Sequence, residues 1–119
     1  MIIFRFLALA AFLQSSVLLA DTTQEIDHLL GFVASSPCQF DRNGTIHSGP
    51  DARDHMTMKY EHYQAKIKTA EDFIKYSATK SMMSGKKYKI HCPDSETVDA
   101  GDWLLAELRD YRKRQEEQS

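Results

Sequence analysis

SGPDARDHMTMKYEHYQAKIK, residues 48–68, is the stretch whose reading decides the fold. Ala52, Met56, Tyr60, Tyr63 and Ile67 recur at steps of four, four, three and four. That spacing lines side chains along one face of an α-helix. Ser48 suits the N-cap, Pro50 the first turn, and Asp51 stands three residues after Ser48, as in a capping box. The pattern predicts the longest helix of the chain over 48–68, carrying two of its five histidines, His55 and His62.

On the N-terminal side lies CQFDRNGTIHS, residues 38–48. Asn43-Gly44 is a strong hairpin signal, because a type I′ turn needs positive φ at both central positions. Phe40 and Ile46 then sit on the two strands. Before the hairpin, Thr22 and Glu25 match a capping box, and Ile26, Leu29, Leu30 and Val33 line a first helix that Pro37 ends.

On the C-terminal side, Thr69 with Glu71 and Asp72 marks a fresh helix start. The short helix it opens carries Phe73, Ile74 and Tyr76. Residues 81–85, SMMSG, form a loop. KYKIHC, residues 87–92, alternates polar and apolar as a half-buried strand does. A last helix over about 99–112 buries Trp103, Leu104, Leu108 and Tyr111. Residues 113–119 are a charged tail without apolar side chains, expected to be disordered.

The expected fold is therefore α+β: three or four helices packed on a small antiparallel sheet, made of the hairpin plus one later strand. The second helix is expected across the sheet with its apolar stripe inward.

Residues 1–20 read as a cleavable signal peptide. Arg5 supplies the positive n-region, residues 6–13 are apolar throughout, and Ala20 precedes Asp21. The apolar run falls well short of the roughly 20 residues a membrane span needs, so no integral membrane segment is expected after cleavage. Residues 21–112 then form one domain with one modest core. Removing Arg5 leaves 14 basic residues against 17 acidic ones, a net charge of −3, which argues against nucleic acid as a partner.

Both cysteines, Cys38 and Cys92, fall in the exported domain, where disulfides persist. Neither belongs to a C-x-x-C pair, so a structural bridge is expected rather than reactive or metal-binding thiols. Closing a loop of about 54 residues contributes roughly 4 kcal/mol in the chain-entropy model.

The order of these motifs resembles that of the YfeK-like proteins: CxF and RNG, HMTMKY, TAEDFI, a serine-rich SG segment, YKIHC and WLLAELRDYR. These are small exported bacterial proteins classed as a domain of unknown function. The resemblance covers nearly all of 24–112 and implies a periplasmic setting. Cys38, Asn43, Gly44, His55, Lys59, Tyr60, Glu71, Ser84, Gly85, Tyr88 and Trp103 carry it. Lys87 departs from the pattern, which has proline there. No activity, cofactor or catalytic residue comes with the resemblance.

Three constellations carry chemistry. His55, Lys59, His62 and Lys66 follow at helical spacing one turn after Asp51. An imidazole beside a carboxylate can work as an acid–base group near neutral pH, and Ser84 is the candidate nucleophile for it. A solvated helix face explains the same spacing without chemistry. Met56 and Met58 with His55 and His62 suggest copper, yet the two histidines are seven residues apart, about 10 Å along a helix axis. Met56 is then core filler, and no metal site is assigned. Arg42-Asn43-Gly44 and Ser84-Gly85-Lys86-Lys87 each set cations beside a flexible turn, a combination that can hold an anion; turn chemistry alone also accounts for both. The aromatic residues are core candidates, and any left exposed with Met82 and Met83 would make a protein-binding patch.

The expected function is a small periplasmic interaction or binding module, non-catalytic and without a cofactor. Its candidate surface is Arg42, Asn43, Gly44, His55, Lys59, His62, Ser84 and Gly85, and its candidate partner another periplasmic protein. The alternatives are an envelope-acting hydrolase using His55 with Ser84, and a copper- or zinc-binding protein.

Overall fold

The structure, a computed structural model, describes residues 13–118, with side-chain environments from Asp21 onward. Residues 1–12 of the expected leader and Ser119 of the expected tail lie outside the described residues.

Among the described residues, four helices pack with one small sheet. They are α1 (Leu13–Ser35), α2 (Gly49–His62), α3 (Ala70–Ser77) and α4 (Ala100–Gln118). The strands are β1 (Gln39–Arg42), β2 (Thr45–His47), β3 (Lys89–His91) and β4 (Val98–Asp99). All pairings are antiparallel, in the order β2-β1-β3-β4. The α+β class, the hairpin and the later strand are as the sequence predicts; the two-residue β4 is an addition. No helix among the described residues is long and apolar enough to cross a membrane.

The hairpin closes as its sequence dictates. Asn43 and Gly44 have φ of 56° and 86°, the left-handed pair a type I′ turn requires. Asp41 Oδ1 accepts from the Gly44 N–H at 2.8 Å. Strand β1 pairs with β3 with Phe40 opposite Ile90 and Gln39 opposite His91. One step further along the same register, Cys38 faces Cys92, and the two form the disulfide with Cα atoms 4.1 Å apart. The bond staples the sheet's two central strands at one end.

Period-two burial in the sheet meets period-3.6 burial in the helices. Phe40 and Ile90 face inward, against Ile26, Leu29 and Val33 of α1, Phe73 and Ile74 of α3, and Leu104 and Leu108 of α4. Trp103 lies over both layers, with its ring 4.7 Å from Phe32 and 5.8 Å from Phe40. Ser77 Oγ, fully buried in α3, has no hydrogen-bond partner among the described residues.

Four expectations about the helices need correction. First, α2 is shorter than α1 and α4 and ends at His62, followed by a 3₁₀ turn at Gln64–Lys66. Its start is as predicted: Ser48 Oγ accepts from the Asp51 N–H. Its end is decided from beyond it. Thr69 Oγ1 accepts from Asp72 N–H at 3.1 Å, while Asp72 Oδ2 accepts from Lys68 N–H at 3.0 Å. This reciprocal cap starts α3 afresh, and the turn before it lets Ile67 reach the core.

Second, α2 packs chiefly on α1 and more lightly on the sheet, at β1. Gly49 makes the close approach possible, since a Cβ there would stand 2.5 Å from the Val33 carbonyl oxygen. Third, Thr22 and Glu25 lie inside α1 rather than at its start, because its backbone continues from Leu13 through Ala20. Fourth, α4 continues past Arg112 to Gln118. Lys, Arg, Gln and Glu are good helix formers, and Arg114 reaches back 3.0 Å to Glu107.

Candidate functional site

Three separate segments converge beside the exposed side of α2: the hairpin turn, the 80–87 loop and the helix itself. Between them lies a groove of about 450 Å³, bordered by Arg42, Asn43, His55, Met58, Lys59, His62, Tyr63, Ser81, Met82, Met83 and Tyr88. Five of the eight candidate surface residues border it: Arg42, Asn43, His55, Lys59 and His62. Ser84 joins through a hydrogen bond to Asn43, donating from Oγ to Oδ1 at 2.8 Å. Gly44 and Gly85 shape the backbone at the two turns, both with positive φ.

The loop is held from within. Ser81 is buried, and its Oγ accepts from the N–H groups of Met83 and Ser84 at 3.3 and 3.2 Å. Ser81 N–H donates to the Lys86 carbonyl, and Gly85 N–H to that of Ser81, both at 2.9 Å. Ser84 Oγ also accepts from Lys86 N–H at 3.2 Å. With its polar groups satisfied internally, the loop turns Met82 and Met83 outward, at 52% and 99% exposure, near Met58 at 64%.

The floor is cationic. Arg42 reaches from β1 over the helix, with Nη1 3.3 Å from His55 Nε2 and Nη2 3.4 Å from His47 Nε2. As guanidinium nitrogens only donate, both imidazole nitrogens act as acceptors. Lys59 Nζ donates to the Tyr88 hydroxyl and to the Lys80 carbonyl, both at 3.0 Å, and stands 4.9 Å from the centre of the Tyr88 ring. His55 sits edge-on to the same ring at 6.1 Å. Partial burial first, then the charges of Arg42 and Lys59, hold the His55 pKa down at about 4. It is a neutral imidazole at pH 7.

Among the described residues no carboxylate borders the groove. Asp41 is turned to the hairpin backbone and lines a separate small cavity of about 20 Å³ behind His55. Among the described residues neither Arg42 nor Lys59 has an acidic partner.

His55 and Ser84 are not hydrogen-bonded to each other: the one accepts from Arg42, the other donates to Asn43. His55 and His62 share the groove but no ligand geometry, and no group of three or more His, Cys, Asp or Glu residues is gathered for a metal among the described residues. The tyrosines and Trp103 are buried or half-buried rather than exposed; the exposed apolar side chains at this face are methionines.

Two site residues escaped the sequence reading. His47 stands at the end of β2, and its nearness to Arg42 follows from the cross-strand register, in which Phe40 pairs with His47. Tyr88 looked like a core aromatic. Its side chain is buried, yet it borders the groove and its hydroxyl accepts from Lys59.

The chain belongs to a family of unknown function, DUF5329, whose model matches residues 20–112. No curated protein and no solved structure matches it. The family match brings no activity and ties the chain to no narrower group.

Proposed function

We propose that this chain is a small exported binding module, non-catalytic, whose recognition site is the groove between α2, the Asn43-Gly44 turn and the 80–87 loop. One observation carries the reading. The hairpin turn and α2, neighbours in sequence, meet the distant 80–87 loop in a single concave surface whose polar groups are tied to one another rather than set up for reaction. His55 Nε2 is engaged by Arg42 and Ser84 Oγ by Asn43, so neither stands as a base aimed at a nucleophile. A groove of about 450 Å³ falls within the range of roughly 300–1,000 Å³ common for ligand sites. Exposed methionines give such a surface adaptable apolar contact.

The exported, periplasmic setting belongs to the same proposal. It is supported by the leader-like residues 1–20, by the Cys38–Cys92 bridge, which suits an oxidising compartment, and by the resemblance to YfeK-like proteins. N-terminal sequencing of the chain recovered from periplasm should begin near Asp21. Recovery of an uncleaved, reduced chain from the cytoplasm would remove this part of the proposal.

Recognition in the groove is tested by screening the oxidised domain against periplasmic extract and a metabolite library, alongside a Lys59→Glu variant. The wild type should retain a ligand or partner that the variant loses. Equal retention by both proteins would place recognition on another face.

A further inference from the structure

The donors and acceptors of the groove do not balance, and the imbalance points to a ligand class. Arg42 has five N–H donors, of which the two hydrogen bonds to His55 and His47 use two. Lys59 has three, and the Lys80 carbonyl and Tyr88 hydroxyl use two. The Tyr88 hydroxyl accepts from Lys59 and keeps its own proton to donate. On the acceptor side, Asn43 Oδ1 already accepts from Ser84, and among the described residues no carboxylate borders the groove. Two cations and a phenol thus face one concavity with donors to spare and no anion beside them.

The rest of the lining is apolar and flexible. Met58, Met82 and Met83 are exposed around it and Tyr63 is half-buried. Unbranched thioether side chains adapt to differing apolar shapes without fixed complementarity. The charge is also placed to favour a compact anion. Arg42 presents a planar fork suited to two oxygens of one group, and Lys59 adds a point charge from the adjoining helix.

We infer that the groove binds a single-headed amphipathic organic anion, with its carboxylate or phosphate among Arg42, Lys59 and Tyr88 and its apolar body along Met58, Tyr63, Met82 and Met83. This rests on the binding-module reading and supplies its ligand class. Burying part of an alkyl chain adds affinity in proportion to apolar area, while the head fixes its orientation. The cluster is not poised for acid–base work on such a ligand, since the imidazoles beside Arg42 have their acceptor nitrogens occupied.

Titration calorimetry on the oxidised domain tests the inference, with decanoate and decyl phosphate as separate arms kept below their aggregation limits. Decanol, decyltrimethylammonium, acetate and inorganic phosphate are the controls. At least one decyl anion should saturate a single site, and the arm that binds identifies the head as carboxylate or phosphate. Decanol and the tailless anions should bind at least about tenfold more weakly, as should the decyl anion to Arg42→Gln and Lys59→Met, since each variant removes a charged hydrogen bond. Met82→Ser with Met83→Ser should weaken decanoate while leaving acetate unchanged.

Circular dichroism confirms that each variant is folded. Should Arg42→Gln fail to fold, Arg42→Lys and Lys59→Met carry the comparison. Decanol binding as tightly as decanoate, or unchanged anion affinity in the folded Arg42 and Lys59 variants, would overturn the assignment. Acetate or inorganic phosphate binding as tightly as its decyl counterpart overturns it as well, reducing the site to a plain anion subsite. The two proposals fail separately. If both decyl anions fail while a ligand or partner is retained by wild type and lost from Lys59→Glu, the groove stands as the recognition site and only the ligand class falls.

Discussion

The hydroxyl of Ser84 donates a 2.8 Å hydrogen bond to Oδ1 of Asn43, across 41 positions of sequence. Through it the 80–87 loop is tied to the tip of the hairpin, and the two turns become the wall of one groove. Replacing Ser84 by Ala removes that bond and the acceptor for Lys86 N–H. As the bond is exposed, global stability should fall by no more than about 1 kcal/mol. Local order should change more: amide exchange at Met83, Ser84 and Lys86 should quicken while the amides of α3 keep their protection. Unchanged exchange in the loop would mean that Ser81 alone holds it.

His55 gives the domain an acid-sensitive component. Its pKa is near 4 in the fold and 6.5 in the unfolded chain. Above pH 6.5 both states carry a neutral ring and the difference has no effect. As pH falls from 6.5 towards 4, the unfolded chain takes up a proton that the folded one refuses, so stability declines. His55→Gln should flatten the loss of urea midpoint between pH 7 and pH 4.5. Removing Arg42 should raise the His55 pKa, which NMR titration of the imidazole signals would read directly.

Gly49 is a helical glycine at which alanine should destabilise. Propensity alone favours Ala in a helix by about 1 kcal/mol. Here, however, a Cβ would stand 2.5, 3.0 and 3.1 Å from the carbonyl oxygens of Val33, Ala34 and Ser36. These are backbone atoms and yield only by moving α1 away. Gly49→Ala should therefore cost about 1–3 kcal/mol in chemical denaturation, the range of overpacked sites. A stabilised variant would show that the approach of α2 to α1 is looser than the structure has it.

Arg112 joins three helices. Its guanidinium bonds both oxygens of Glu25 on α1, at 2.8 and 3.0 Å, and both of Glu71 on α3, at 2.7 and 3.0 Å. The bonds from Arg112 hold the Glu71 carboxyl below its ordinary pKa, against some opposition from burial. The group is partly exposed, so Arg112→Gln should cost only about 1 kcal/mol at neutral pH. The wild-type advantage should be present above the ordinary carboxyl pKa and fade as acid protonates Glu71. Urea unfolding at pH 7 and pH 3 measures both points.

Much of the architecture was legible before any coordinates. Helix starts at Ser48 and Thr69 and the turn at Asn43-Gly44 each rest on interactions within a few residues, and the strand around Ile90 shows itself in its alternation of polar and apolar residues. Those are the interactions a sequence displays. The end of α2 was not legible, because Tyr60, Tyr63 and Ile67 keep helical spacing across a break that the cap at Thr69 imposes. Nor was the placement of α2 against α1, which hangs on the backbone contact that Gly49 allows.

The groove divides in the same way. Several of its residues were named from the sequence as a turn, a polar helix stripe and a serine-rich loop. What was not visible is that Arg42 crosses to His55 and His47, that Tyr88 turns its hydroxyl to Lys59, or that Asp41 faces away. By itself the sequence determined most of the elements, because caps, turns and burial periods act over a few positions, and the disulfide pair, because the chain has only two cysteines. Only the tertiary structure decided which charges are left without a counter-ion, because that depends on side chains brought together from β1, α2 and the 80–87 loop.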